Sequence, residues 1–159
     1  MLKVKIIAIG SLKEEYLRAA VAEYSKRLGA YCELSVCELR EVKLPENPSQ
    51  AQIDAALNTE GEKIISEIPP KSFTVALCIE GKECSSEDFA AFVENARMQS
   101  GSLCLIIGSS FGLSPKVKNL CRSRLSFSKM TFPHQLMRVM LLEQLYRAMN
   151  ISMGGKYHK

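Results

Sequence analysis

Two nearly continuous apolar runs place the strongest constraint on how this chain can fold. They read FTVALCI at 73–79 and LCLII at 103–107, and the segment between them, SSEDFAAFVENARMQSG at 85–101, has its apolar residues at helical spacing. Strands that are apolar on both faces are typical of a parallel sheet covered by helices, and parallel neighbours need a crossover connection, usually a helix. The three segments therefore predict a β–α–β unit of an α/β fold.

The rest of the chain continues this alternation. Its length of 159 residues suits one domain, and it contains no internal repeat, low-complexity tract or long linker. We therefore predict a single domain over 1–159, with a mostly parallel sheet flanked by helices. The further predicted elements are strands at 2–10, 31–40 and 124–127, and helices at 13–29, 51–68 and from 133 onward.

Hydrophobicity and cysteine spacing exclude several classes of protein. No run approaches the roughly 18 consecutive apolar residues of a membrane span, and the first segment, MLKVKIIAIGSLKEEYLRAA, becomes charged too soon for a secretory signal. We therefore expect a cytoplasmic protein that does not enter a membrane.

The cysteines lack C-x-x-C spacing, which favours buried reduced thiols over disulfides and predicts no metal site. They are Cys32, Cys37, Cys78, Cys84, Cys104 and Cys121.

The positive charge of the chain is concentrated in its last third. Residues 1–112 carry 12 Lys/Arg and 16 Asp/Glu, a net charge of −4, whereas residues 113–159 carry nine basic residues and one acid, Glu143, a net charge of +8. Such asymmetry is typical of a surface that faces a polyanion, most often a nucleic acid. The alternative interpretation is a basic face that is simply solvated.

Ligands of parallel α/β sheets bind beyond the carboxyl ends of the strands, so the loops that follow the predicted strands are candidate binding sites. Three stand out: EGKE at 80–83, GSSFGLSP at 108–115 and SKMTFPH at 128–134. In the second, Gly108 and Gly112 permit close backbone approach, but the spacing matches neither a dinucleotide fingerprint nor a phosphate-binding P-loop. A plain strand-to-helix turn, with Ser114 as the cap and Pro115 at the first helical position, fits the same residues.

The C-terminal helix is apolar on more than one side. Pro133 suits its first turn and Thr131 is its predicted cap, which places the loop before it at a helix N-terminus with free N–H groups. Leu136 and Met140 lie opposite the main apolar arc, so we expect two partners for this helix, the protein's own sheet and a second copy of the chain. A central helix in a monomeric core is the alternative. The main arc consists of Met137, Leu141, Leu142, Leu145, Ala148 and Met149.

The last residues, ISMGGKYHK, bring together a phenol, an imidazole and an ammonium group at Tyr157, His158 and Lys159. Such groups can stack on a base and pair with phosphate, so the tail is a candidate contact for a nucleotide. A solvated basic tail is the alternative interpretation.

Several of these segments together resemble one known family. LSFSKMTFPHQLMRVMLLEQLYRAMNI, the terminal YHK, IIGSSFGLSP and KVKIIAIGSLKEEYL are similar, in this order along the whole chain, to the RlmH family of SPOUT methyltransferases. The resemblance implies transfer of a methyl group from S-adenosylmethionine to N3 of the pseudouridine at position 1915 of 23S rRNA. It also implies that the substrate is the assembled 70S ribosome.

The resemblance further implies a C-terminal trefoil knot, a homodimer formed through the C-terminal helix, and roles for individual residues. Catalysis falls to Arg147, Tyr157 and His158, and His158 is the candidate for proton transfer because imidazole exchanges protons near neutral pH. Contacts with RNA fall to Arg138, Arg147, Tyr157, His158 and Lys159. The methyl donor would be bound by Leu77, Gly108, Phe127, Ser128, Lys129, Met130, Thr131 and Phe132.

Two residues depart from the family pattern. Ser109 stands where the family usually has a second glycine, and Lys156 stands where a proline usually precedes the final Tyr-His. We expect a tighter or redirected donor loop and a looser tail.

Two other functions fit parts of the pattern. A non-enzymatic ribosome assembly factor would explain the charge and the helix without the cofactor loops. A nucleotide-dependent oxidoreductase would suit an α/β chain, but the fingerprint glycines and their acidic partner are missing.

Overall fold

The structure, a computed structural model, describes residues 1–158 and shows five strands alternating with five helices. The prediction that Lys159 contacts RNA falls outside the described residues. The elements are β1 (Leu2–Ile9), α1 (Glu15–Leu28), β2 (Cys32–Leu39), α2 (Gln50–Glu67), β3 (Phe73–Lys82), α3 (Ser86–Ser100), β4 (Ser102–Ile107), α4 (Pro115–Leu120), β5 (Ser123–Leu125) and α5 (His134–Ser152).

The five strands form one sheet in the order β2-β1-β4-β3-β5, and each neighbouring pair is parallel. The predicted α/β class with a parallel sheet is therefore confirmed. All carboxyl ends point to the same edge, so the loops after β3, β4 and β5 lie side by side there. The trefoil knot stays a prediction.

Helices cover both faces of the sheet, which explains why β1, β3 and β4 are apolar on both sides. On one face, residues of α3 and α5 such as Phe89, Val93 and Leu142 pack on Val4, with α1 beside them. On the other face, Ile64 of α2 and Val117 of α4 pack on Ile7, Cys104 and Ile106. Burial of each Leu, Ile or Val side chain contributes roughly 1.5–3 kcal/mol of transfer free energy. Because such side chains are buried on both faces, packing on each face stabilises the strands.

Local signals at the helix ends explain most of the boundaries. Ser114 caps α4 by accepting a hydrogen bond from the Val117 N–H at 3.3 Å, with Pro115 at the first helical position, as predicted. The prediction that Thr131 caps α5 is wrong. Helix α5 begins one residue after Pro133, which occupies the cap position without a side-chain cap bond.

All six cysteines are free thiols, as predicted, but not all of them are buried. Cys104 lies inside the sheet, where burial raises the pKa of its thiol to about 12 and keeps it protonated. Cys84 is exposed, and the expectation of a buried thiol is wrong there because it follows the end of β3 in the loop before α3. None of the helices found in residues 1–158 combines the length and the apolar character that crossing a bilayer requires.

Candidate functional site

A cavity of about 580 Å³ opens at the carboxyl edge of the sheet. Its walls come from the end of β3, from the β4–α4 loop and from the segment between β5 and the first turn of α5. This is where ligands bind in open parallel α/β sheets. The lining is mixed, with apolar side chains such as Ile107 and Leu113 beside the backbone and hydroxyl groups of Ser109, Ser126 and Ser128.

The β4–α4 loop turns back on itself at the wall of this cavity. The Gly112 N–H donates to the Ser109 carbonyl at 2.8 Å, and Gly112 has a φ of +87°, which favours glycine. A β-carbon at Gly108 would overlap the carbonyl group of Gly112 and lie 3.0 Å from Leu113 Cγ. The loop therefore closes only with glycine at position 108.

The segment after β5 is folded into a second tight turn. The Ser126 hydroxyl donates to the Ser128 carbonyl at 2.9 Å, and the Met130 N–H donates to the Ser128 hydroxyl at 3.0 Å. The Ser126 N–H also donates to the Lys82 carbonyl at 3.0 Å, which ties the turn to the end of β3. Two of the three walls are thus joined by a backbone hydrogen bond.

The structure brings most of the predicted donor-binding residues together around this cavity. Lys129 is the exception, since it lies in the turn but not among the lining residues. The cavity also has neighbours to which the sequence gave no individual role, including Ile79 of β3. Phe111 and His134 are two more, and their place in two of the candidate loops was the available signal. The predicted residues that line the cavity are Leu77, Gly108, Phe127, Ser128, Met130, Thr131 and Phe132.

The predicted catalytic residues form a second cluster, centred on Glu143. Glu143 Oε1 accepts from Arg147 Nη2 at 2.6 Å and from Arg147 Nε at 3.1 Å. The same oxygen accepts from the Tyr157 hydroxyl at 3.1 Å. His158 Nδ1 lies 3.2 Å from Arg147 Nη1, and His158 Nε2 lies 2.7 Å from Glu87 Oε1 on α3. The tail is therefore folded back onto α5 and α3.

Aromatic packing supports this position of the tail. The Tyr157 ring meets the Tyr146 ring edge-on at 4.8 Å between centroids, and the Arg147 guanidinium lies 4.8 Å from the Tyr157 centroid. Burial raises the pKa of Tyr157 to about 12, and hydrogen bonds with Tyr24 and Glu143 act in the same direction. Tyr157 is therefore a neutral hydrogen-bond donor at physiological pH.

Glu143 and Glu87 were missed in the sequence, although one signal was present. Glu143 is the only acidic residue of the last third and precedes Arg147 by one helical turn, a spacing at which opposite charges pair. Glu87 reaches the cluster from α3, and nothing local in the sequence connects it with His158.

The two clusters lie at different ends of α5 within one protomer. Met137 lines the cavity, whereas Arg147 follows ten residues later on the same helix. At a rise of about 1.5 Å per residue, this separation is about 15 Å along the helix axis. A second cavity, of about 400 Å³, lies beside Glu143 and shares Leu125, Ser126 and Phe127 with the first.

Arg138 does not join the other predicted RNA contacts. It is 1% exposed, forms an ion pair with Glu38 and donates to the Gly10 carbonyl at 3.0 Å. Its Nε atom is buried without a hydrogen-bond partner among the described residues. This burial favours a structural role, in which Arg138 fastens α5 to the ends of β1 and β2.

We predict that Arg138→Ala destabilises the fold by about 2–4 kcal/mol, because it leaves the Gly10 carbonyl unpaired and opens a void. Glu38→Gln should cost less, since the Glu38 side chain is 45% exposed. Urea unfolding of both variants measures the difference. Equal losses for the two variants would contradict the assignment.

No group of three or more His, Cys, Asp or Glu residues suited to a metal ion occurs within residues 1–158.

Comparison with known proteins identifies the family. Residues 2–158 match the family model described as predicted SPOUT methyltransferase. Proteins named ribosomal RNA large subunit methyltransferase H match over 159 residues, covering 99% of this chain and 100% of theirs. Identity is 46% for those of Streptococcus thermophilus and Clostridium botulinum and 48% for that of Bifidobacterium adolescentis.

Two solved structures share the fold. A probable methyltransferase from Bordetella pertussis Tohama I has a TM-score of 0.58 at 14% identity, with 92% of this chain and 95% of that chain covered. A probable methylase family protein from Haemophilus influenzae Rd KW20 has a TM-score of 0.54 at 12% identity, with 95% and 66% covered. Family model, relatives and fold agree, and the chain belongs to the SPOUT methyltransferase family, in its RlmH branch.

Proposed function

We propose that this protein is a cytoplasmic rRNA methyltransferase that uses S-adenosylmethionine. Its proposed product is 23S rRNA methylated at N3 of the pseudouridine of the position-1915 type, within assembled 70S ribosomes. The observation that carries the proposal is the full-length match to relatives named ribosomal RNA large subunit methyltransferase H, together with the cavity at the carboxyl edge of the sheet.

The size and lining of the cavity fit the methyl donor. Its volume of about 580 Å³ lies within the range of roughly 300–1,000 Å³ that is usual for small-molecule sites. Apolar walls at Leu77, Leu125 and Phe132 suit an adenine ring, and unpaired backbone groups of the two tight turns would bind its polar edge. Leu77, Gly108, Phe127, Ser128, Met130, Thr131 and Phe132 would hold the donor, with Lys129 at the outer side of the turn.

The reaction requires that N3 of the base lose one proton and that it approach the methyl group in line with the C–S bond that breaks. The bound donor supplies an electrophilic methyl group on a sulfonium, whose sulfur takes the electron pair of the broken C–S bond. N3 of the target base must lose its imide proton to form the new N–C bond. This chain's part is to position the base, to accept that proton and to stabilise the negative charge that develops on the base.

His158 and Arg147 are the proposed groups for these tasks. Because Arg147 is a donor, His158 Nδ1 is the acceptor in their contact, and Nε2 carries the hydrogen that faces Glu87. The lone pair needed to accept a proton is therefore covered by Arg147. A base that draws Arg147 toward its carbonyl oxygen would free Nδ1 at the same moment. The Tyr157 ring lies 4.8 Å from the guanidinium in the absence of a base.

We also propose that the active enzyme is a homodimer in which the tail of one subunit completes the donor site of the other. The 15 Å separation along α5 keeps the two clusters of one protomer apart. Apolar side chains at and near the mouth of the cavity are exposed, with Met130 at 71%, Ile79 at 50% and Leu136 at 38%. A second copy would cover this surface and bring its own basic tail to the donor.

The proposed RNA contacts are Arg147, Tyr157 and His158, with Lys159 after them in the chain. The +8 charge of residues 113–159 supports the approach of rRNA from this side. Binding to ribosomes should therefore weaken steeply as salt concentration rises.

Transfer of labelled methyl from S-adenosylmethionine to 70S ribosomes that lack the modification tests the proposal. We expect one methyl group per ribosome, located at N3 of the 1915-type pseudouridine when the labelled nucleotide is mapped. Ribosomes that already carry the modification are the control and should accept none. Donor binding without any transfer would leave a binding or assembly role instead.

A further inference from the structure

The cavity proposed for the methyl donor is lined by one pair of opposite charges. Among the residues of 1–158 that line it, Glu80 and Lys118 are the only aspartate, glutamate, lysine or arginine. Glu80 belongs to β3 and Lys118 to α4, so the pair connects two elements across this part of the cavity. The lining therefore offers a ligand one negative and one positive side chain.

The two side chains are in direct contact. Lys118 Nζ donates to Glu80 Oε1, and the Lys118 side chain is 23% exposed while that of Glu80 is 51% exposed. The hydrogen bond from Lys118 is the main cause that lowers the pKa of Glu80, so this carboxylate stays ionised at neutral pH. The contact uses one of the three N–H donors of the ammonium group and one of the two carboxylate oxygens, which leaves both partners able to bind a further group.

The methionine end of S-adenosylmethionine carries the complementary pair of charges. Its α-carboxylate is negative and its α-ammonium group is positive at neutral pH, and both are attached to the same carbon. A carboxylate that faces Lys118 and an ammonium group that faces Glu80 would complete a ring of alternating charges, so the Lys118–Glu80 contact need not break. Hydrogen bonds between ionised groups are roughly twice as strong as those between neutral groups.

We propose that Lys118 and Glu80 bind the methionine end of the methyl donor, with Lys118 pairing with its carboxylate and Glu80 with its ammonium group. The inference rests on the proposed function of this cavity. It gives the charged end of the donor a place distinct from the apolar walls proposed for adenine. The alternative is an ion pair that only fastens α4 to β3, which would stabilise the fold without distinguishing between ligands.

Two thioethers of adenosine that differ only at this end test the inference. S-adenosylhomocysteine has the carboxylate and the ammonium group, whereas methylthioadenosine lacks both. Isothermal titration should give the wild type a Kd for S-adenosylhomocysteine at least about 10-fold lower than its Kd for methylthioadenosine. In Lys118→Met and in Glu80→Gln, the Kd for S-adenosylhomocysteine should rise about 10-fold, the loss expected for one charged hydrogen bond at a partly exposed site. The Kd for methylthioadenosine should stay within about twofold of the wild-type value, because that ligand has no charged end to lose.

Lys116→Met is the matched control, because Lys116 lies on the same helix, pairs with Glu62 at 2.7 Å and is not among the lining residues. It should leave both dissociation constants unchanged.

Three results would overturn the inference while the proposed function stands. They are equal wild-type affinity for the two thioethers, unchanged binding of S-adenosylhomocysteine in Lys118→Met and Glu80→Gln, and equal weakening of both ligands in these variants. The last result would show that the ion pair acts only through the fold. A wild-type protein that binds neither S-adenosylmethionine nor S-adenosylhomocysteine would instead overturn the proposed function.

Discussion

Replacing Gly108 with alanine is expected to raise the Kd for S-adenosylmethionine roughly 30- to 160-fold. The new β-carbon would overlap the carbonyl group of Gly112, so the β4–α4 loop must open and its backbone groups must leave the cavity wall. Overpacking of this kind costs about 2–3 kcal/mol, which is the source of the expected factor. Isothermal titration of purified protein measures it directly.

Gly29→Ala is the matched control for this change. Gly29 lies at the end of α1 with a φ of −58°, and a β-carbon there meets only backbone carbonyl groups of its own helix, the nearer at 3.3 Å. It should bind the donor as tightly as the wild type. Donor affinity within threefold of the wild type for Gly108→Ala would show that the loop does not form the donor site.

Replacing Arg147 with alanine is expected to lower kcat for methyl transfer by about 100-fold or more while donor affinity stays unchanged. The variant loses the cation that would stabilise the negative charge developing on the base. Removing one oriented hydrogen-bond donor of this kind lowers kcat by about 100- to 1,000-fold. It also removes the anchor between Glu143 and His158. Single-turnover transfer to unmodified 70S ribosomes separates this step from product release.

Arg124→Ala removes the same charge from the same basic third of the chain and serves as the control. Arg124 of β5 donates to the Asn119 side-chain oxygen at 2.7 Å. It should change the ribosome concentration at half-maximal rate more than kcat. His158→Ala measures proton transfer separately, and full turnover in that variant would leave orientation by Arg147 as the main contribution.

A heterodimer of the Gly108→Ala and Arg147→Ala chains tests whether the two clusters act across the subunit interface. It would contain one site with both parts intact, so it should show about half of the wild-type rate when purified through two different tags. If each protomer carries its own complete site, the heterodimer should be as inactive as its parents when S-adenosylmethionine is well below the Kd of the Gly108→Ala variant.

The sheet could be predicted from the sequence because its signals are local and strong. The apolar runs of β3 and β4 and the helix between them are long enough to define strand, crossover and parallel pairing together. The seven cavity residues followed from a family resemblance, since no pattern in SKMTF alone requires a ligand. The helix begins at His134, one residue later than predicted, because Pro133 occupies the cap position, and Thr131 only resembles a cap.

The burial and the partners of the charged residues could not be predicted, because they depend on residues far away in the sequence. In the sequence, Arg138 looks like a surface cation on α5. Inside the protein it pairs with Glu38 and donates to the Gly10 carbonyl, which lie 100 and 128 residues away in the chain. The pairing of His158 with Glu87 spans 71 residues in the same way. Periodicity reports which face a residue occupies and carries no information about such partners.

The place of α5 in the chain has a consequence for biosynthesis. This helix follows every other element, yet its buried residues cover the α1 and α3 side of the sheet and its Arg138 closes the ends of β1 and β2. Until α5 has left the ribosome, the nascent chain presents an uncovered apolar face. Its final folding step therefore depends on contacts of high sequence separation, which form slowly. The chain needs protection from aggregation most during the interval in which α5 is still inside the ribosome.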